Sequence, residues 1–185
     1  MICTDTKECL EETKRVLKAG GVAVFPTDTV YGVGAYLDMK DAVERIYIIK
    51  KRSRSKPLAV LVRDKKMAYK LGEFNSIAKR LADKFWPGPL TIIVPTKGGK
   101  IGLRVPNHWF ARELAERPLA ASSANLSGEK PPKKFEDALT LEGADIYVDG
   151  GELPGVASTV FDSTTLKIIR RGAVTDSKIM GVINE

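Results

Sequence analysis

The chain has 185 residues, enough for a single domain with a sizeable core, and 43% of them are apolar, which excludes a disordered chain. Lys and Arg number 30 against 23 Asp and Glu, and the net charge of +7 favours an anionic partner: a nucleotide, RNA or DNA. The single histidine, His108, removes His-pair metal sites and starves any Ser-His-Asp scheme. Apolar runs such as residues 46–49 and 91–94 are far too short to cross a bilayer. The charged N-terminus lacks the apolar core of a signal peptide, so a cytoplasmic protein with no membrane partner is expected.

Thr6 or Asp5 can cap a first helix running to about Lys18, which Gly20 and Gly21 end. Residues 22–25 read as a buried strand, left through an irregular loop that carries Gly32 and Gly34. Asp38 is placed to cap a helix over 40–50, and 58–62 is an apolar strand. A short helix at 64–70 is followed by one over 77–85 with Asn75 as its cap, broken by Trp-Pro-Gly-Pro. Strands at 91–94 and 101–105, a helix at 109–116, a strand at 119–121 and a helix near 134–141 come next. Strands at 146–148, 158–161 and 166–170, then a helix over 177–182 capped by Asp176, complete the series. Helices alternate with strands early and strands crowd together late. That order predicts an α/β (α+β mixed) architecture, a twisted mixed sheet flanked by helices within one domain spanning 1–185. Cys3 and Cys9 are too few for a disulfide framework or a zinc site and read as incidental thiols.

Chemistry-bearing residues collect at strand ends. FPTDTVYGVG offers the hydroxyls of Thr27 and Thr29, with glycines that admit positive φ or a close backbone approach to a ligand. KKRSRSKP, residues 50–57, holds Lys50, Arg52 and Lys56 as a potential phosphate clamp, or as a solvated helix end. Arg104 ends a strand in LRVPNH, a place suited to a carboxylate or phosphate, while His108 reads as a loop or packing residue. ASSANLSG presents Ser122, Ser123 and Asn125 with backbone N–H groups, Ser158 and Thr159 open another strand, and Arg170 and Arg171 close the next. Dinucleotide and P-loop glycine fingerprints are absent.

F-P-T-D-T-V-Y-G-V-G, K-x-R-x-x-x-K-P-L, W-P-G-P-L-T, R-V-P, A-S-S-A-N-x-S-G, S-T-V and I-x-R-x-G stand in one order across residues 20–172. This set resembles the YrdC-type L-threonylcarbamoyladenylate synthases, in their short, single-domain form. The resemblance implies a sheet with a basic concave face and a reaction that joins L-threonine, bicarbonate or CO2, and ATP into threonylcarbamoyl-AMP and pyrophosphate. Mg2+ is implied with the ATP. The product would supply a downstream tRNA threonylcarbamoyl transferase complex that modifies adenosine beside the anticodon. By the same resemblance Lys50 and Arg52 are the catalytic pair. Thr29, Arg104, Ala121 and Ser158 take threonine; Arg52, Lys56, Ser123, Asn125 and Arg170 take ATP. Leu61 stands where some members have histidine, and closure over the site is expected from something other than the C-terminal extension of longer members. The basic charge alone also admits a surface that holds double-stranded RNA or tRNA without chemistry.

Overall fold

The computed structural model describes residues 1–184. In chain order the elements are β1 (Ile2–Thr4), α1 (Lys7–Lys18), β2 (Ala23–Phe25), β3 (Gly32–Tyr36), α2 (Lys40–Ile49), β4 (Ala59–Leu61), α3 (Lys65–Leu71), α4 (Ser76–Phe85), β5 (Leu90–Thr96), β6 (Gly99–Arg104), α5 (Trp109–Leu114), β7 (Leu119–Ser123), α6 (Phe135–Ala138), β8 (Ile146–Asp149), β9 (Thr159–Asp162), β10 (Lys167–Arg170) and α7 (Asp176–Ile183). The strands form one ten-stranded sheet in the order β1-β8-β2-β3-β7-β4-β6-β5-β9-β10. Parallel and antiparallel neighbours are mixed: β8 runs parallel to both β1 and β2, and β4 to β6, while β3 is antiparallel to β2 and β7. The mixed α/β sheet expected from the sequence is the one observed.

The sheet is covered unequally. Across β1, β8, β2, β3 and β7 both faces carry helices. Leu10 and Leu17 of α1 and Phe110 and Leu114 of α5 pack on Ala23, Phe25, Tyr36, Ile146 and Val148. On the other face Ala42 and Ile46 of α2 and Ala138 of α6 meet Val24, Val33 and Ala35. Across β4, β6, β5 and β9, helices α3, α4 and α7 bury Ala68, Leu81, Ile179 and Val182 against Val60, Leu103, Ile92 and Phe161. Each such fully buried Leu or Ile contributes about 1.5–3 kcal/mol, so these packed faces carry the stability. The alternate positions of the same strands face a hollow.

Several local expectations need correction. The chain after β2 is not irregular as far as Gly34: Gly32–Tyr36 is a strand, with Phe25 opposite Gly32 and Ala23 opposite Gly34. Neither glycine has positive φ. They clear space for the Phe25 ring, since a Cβ on Gly34 would lie 3.1 Å from that ring and 2.9 Å from the Ala120 carbonyl. Strand β1 carries no apolar alternation in the sequence and forms by parallel pairing of Cys3 with Val148. Met39, not Asp38, stands at the start of α2, because Asp38 is drawn into an ion pair with Arg117. Thr175 rather than Asp176 caps α7, accepting from the Lys178 amide, and Asp176 pairs with Arg171. The expected caps Thr6 and Asn75 are in place. Cys3 and Cys9 are disulfide-bonded, not free: the turn at Thr6 folds α1 back beside β1 and brings the two Cα atoms to 5.9 Å.

Candidate functional site

The hollow is a cavity of about 570 Å3, inside the size range of small-molecule sites. Strand periodicity builds it. Residues 59 and 61, 102 and 104, 91 and 93, 121 and 123, and 160 and 162 are spaced by two on adjacent strands, and all ten line it. The floor is made of small residues: Gly102 pairs with Ala59, and Ala59 with Ala121. Helices pack on the intervening positions of β4, β5, β6 and β9, so this face stays open to a ligand.

The segment at residues 26–31 closes one wall. Thr27 donates its hydroxyl proton to the Val30 carbonyl at 2.7 Å and accepts from the amides of Thr29 and Val30. Thr29 is therefore the donor in the 2.9 Å contact between the two hydroxyls. This turn fixes Asp28 and Thr29 against Arg104. Arg104 is only 6% exposed. Its Nε donates to the Gly88 carbonyl at 3.1 Å, Nη1 to Thr29 Oγ1 at 3.2 Å and Nη2 to Asp28 Oδ1 at 2.5 Å. Leu61 sits beside Arg104 in register, so the wall there is apolar where histidine would offer a polar edge.

Opposite stands the loop after α2. Arg52 folds that loop by donating from Nε to the Lys56 carbonyl at 2.8 Å and from Nη2 to the Pro57 carbonyl at 3.1 Å. Its Nη1 makes no hydrogen bond to a described residue. Arg52, Lys56 and Ser55 line the cavity together with Ser122 and Ser123 at the end of β7. Arg170 reaches across from β10, donating from Nη2 to Ser158 Oγ at 3.0 Å and to its carbonyl at 2.8 Å. Thr91 and Ser158 share a hydroxyl contact at 3.1 Å.

Of the residues singled out in the sequence, Thr29, Arg52, Lys56, Arg104, Ala121, Ser123, Ser158 and Arg170 meet in this one cavity. Lys50 and Asn125 do not line it. The Lys50 ammonium is buried and donates to the carbonyls of Ser123 and Asn125, so it braces the ASSAN turn from behind. Asn125 donates from Nδ2 to the carbonyls of Leu126 and Glu129, closing the next turn. Residues the sequence reading passed over also line the wall: Thr91, Lys100 and Asp162. Thr91 lies in the W-P-G-P-L-T string, which gave the one available signal for it. Asp28, between two of the flagged hydroxyls, was not singled out.

Electrostatically the cavity is an anion receptor. Burial pushes the Arg104 pKa down, Asp28 opposes that shift, and the charge of Arg170 adds to it. Burial also lowers Arg170, with Arg52 acting in the same sense. Guanidiniums held within each other's field stay charged and await anions. Among the described residues no cluster of His, Cys, Asp or Glu is arranged to hold a metal. Burial keeps His108 lowered against the opposing pull of Asp5 and Asp28, which favours the neutral ring.

The sequence model of the Sua5/YciO/YrdC family, described as "Telomere recombination", matches residues 15–172. The chain belongs to this family. A Methanocaldococcus jannaschii relative is 36% identical over 188 residues, which covers 95% of this chain and 91% of its own. The structure of P. abyssi Sua5 complexed with L-threonine superposes with a TM-score of 0.92 at 32% identity, covering 100% of this chain. This chain spans 61% of the length of that one. E. coli YciO gives a TM-score of 0.84 at 28% identity, with 96% of each chain covered.

Proposed function

We propose that this chain is an L-threonylcarbamoyladenylate synthase, a nucleotidyltransferase that forms threonylcarbamoyl-AMP and pyrophosphate from L-threonine, bicarbonate or CO2, and ATP. One observation carries the reading: a carboxylate-sized guanidinium site at Arg104 and Thr29 shares a single cavity with the phosphate-sized cluster of Arg52, Lys56, Ser123 and Arg170. The P. abyssi relative bound to L-threonine supports it.

In this reading the threonine carboxylate lies against Arg104, with Ala121 and Ser158 beside the amino acid. The neutral amine of threonine adds to CO2 and releases a proton, giving a carbamate. A carbamate oxygen then forms the bond to the α-phosphorus while the α–β bridging P–O bond breaks, its electron pair leaving with pyrophosphate. The carbamate is already anionic, so no side chain needs to deprotonate it at that step. The protein's work is alignment and stabilisation of charge that grows on the phosphates. Arg52, through its free Nη1, is the group best placed for that, with Lys56, Arg170 and Ser123 on the remaining phosphate oxygens. Lys50 acts from behind, holding the Ser123–Asn125 backbone in place. Among the described residues Asp162 is the one carboxylate on the cavity wall, and it is already engaged by Lys100 and Thr164. The described residues therefore do not form a cage for Mg2+, which would come bound to the ATP. The product would pass to a transferase acting on tRNA adenosine beside the anticodon.

The test is mass spectrometry of purified protein incubated with threonine, ATP, Mg2+ and bicarbonate. Threonylcarbamoyl-AMP appearing in step with pyrophosphate is the expected result. ATP left intact, with no threonine binding by calorimetry, would end the proposal.

A further inference from the structure

Arg104 has five N–H donors, and three are already used, on Gly88, Thr29 and Asp28. One N–H remains on each terminal nitrogen. Asp28 is the unusual partner. It meets Arg104 through one oxygen, Oδ1 to Nη2, and not through the two-pronged pairing that Arg and carboxylate commonly adopt. Its second oxygen, Oδ2, is buried with no hydrogen-bond partner. Both side chains are almost out of solvent, Arg104 at 7% and Asp28 at 10% exposed. Asp28 itself does not line the cavity, whereas its neighbours Thr27 and Thr29 do.

We infer that Asp28 is a positioning residue for amino-acid binding: from behind the wall it holds the Arg104 guanidinium so that the two free N–H groups meet the substrate carboxylate. This rests on the synthase reading above. Three features favour it over a plain structural ion pair. First, Asp28 binding end-on, with one oxygen on each terminal nitrogen, would take an Nη1 donor that an incoming carboxylate needs; the single-oxygen contact to Nη2 leaves one N–H free on each terminal nitrogen. Second, the Thr27 turn fixes Asp28 and Thr29 on consecutive residues, so one short segment grips two nitrogens of the same guanidinium. Third, Arg104 and Arg170 line the same cavity and lie within each other's field. A buried anion behind Arg104 lets the two cations coexist before substrate arrives, and without it Arg104 would be repelled from its place.

The consequence is selective. Asp28 touches neither the phosphate cluster nor the reacting atoms, so its loss weakens threonine binding and leaves the phosphoryl step intact. Asp28→Ala removes the contact. Asp28→Asn keeps the volume and an oxygen for Nη2 while removing the charge. Asp28→Glu keeps the charge on a longer stem. With the full chain, threonine KM is expected to rise about tenfold or more in Asp28→Ala, or about 1.4 kcal/mol of lost binding. It rises less in Asp28→Asn and recovers partly in Asp28→Glu. Expected kcat and ATP KM stay within about threefold of wild type, on the principle that losing ground-state binding alone raises KM. Thermal melting of each variant, read alongside, reports whether it is folded. A folded Asp28→Ala or Asp28→Asn with wild-type threonine KM overturns the inference. So does a loss shared equally by threonine and ATP, or failure of all three variants to fold, either of which makes Asp28 a general structural residue. A wild-type protein that makes no threonylcarbamoyl-AMP and binds no threonine fails earlier and differently: it removes the synthase reading and this inference with it.

Discussion

One sheet here serves as two different materials. From β1 to β7 it is a sandwich, with α1 and α5 on one face and α2 and α6 on the other, filled except where Gly32 at the start of β3 and Ala121–Ser123 at the end of β7 reach the cavity. From β4 to β10 it is clad on one face only, by α3, α4 and α7, and the opposite face is the floor of the cavity. Along β4 the change is visible residue by residue: Val60 is in the core under the helices, Ala59 faces the cavity, and Leu61 does both, lining the cavity while packing into the core beside α5. Omitting one layer of helix thus makes a concave site without any insertion. It also means that stability in the first half and chemistry in the second should respond to different mutations.

Arg104 is where that separation breaks down, and it carries the largest expected effect. Removing a buried cation that pairs with a buried carboxylate leaves Asp28 uncompensated. Arg104→Ala should cost about 3–5 kcal/mol in urea unfolding, and should raise threonine KM as well. An unchanged threonine saturation curve in a folded variant would remove the carboxylate from Arg104. Arg52 should behave in the opposite way. It is partly exposed on a loop, so Arg52→Ala should leave melting nearly untouched while pyrophosphate formation falls by about 100-fold, the scale of losing one transition-state donor. Near-normal pyrophosphate release would take Arg52 out of the mechanism.

Lys50 sits on the seam between the halves. Burial, reinforced by the charge of Arg52, brings its ammonium down to about 8 from 10.5. Between those values the unfolded chain holds more of that proton than the folded chain, so stability rises with pH from about 8 to 10.5. Below that window both states are protonated and the contribution is constant. Lys50→Met should flatten the rise and, by stranding the Ser123 and Asn125 carbonyls, lower stability by about 2 kcal/mol. Urea midpoints of both proteins from pH 7 to 11 give the comparison. A parallel pair of curves would show that Lys50 does not titrate there.

How much of this could be read beforehand depended on the kind of signal. Apolar runs bounded by caps gave α1, α4 and most strands, because period and cap chemistry are local. Strand β3 escaped because Gly32 and Gly34 read as turn residues; what makes them strand is the Phe25 ring across the ladder, a contact invisible in a one-dimensional string. The cavity residues were legible as polar groups at strand ends, and their order supplied the family. Their division of labour was not. Lys50 and Arg52 stand two residues apart, yet one points into the core behind the wall and the other onto its surface. Asp28 carries no signal of its own in the string, because its partner Arg104 lies 76 residues away and only the fold brings the two together.

The smallest expected effect tests the first half in isolation. Cys3 and Cys9 join β1 to the first turn of α1 across a separation of six residues. So short a loop removes little entropy from the unfolded chain, and the chain-entropy relation gives about 2 kcal/mol. β1 is the outermost strand at the edge farthest from β10, and no residue of β1 or α1 lines the cavity. Reduction, or the Cys3→Ser/Cys9→Ser variant, should therefore lower the urea midpoint and leave the KM values for threonine and ATP within about twofold, the range of a surface change with no shared partners. A larger shift in either KM would mean that the filled half transmits its packing to the open one through β3 and β7, and the two-material description would have to be abandoned.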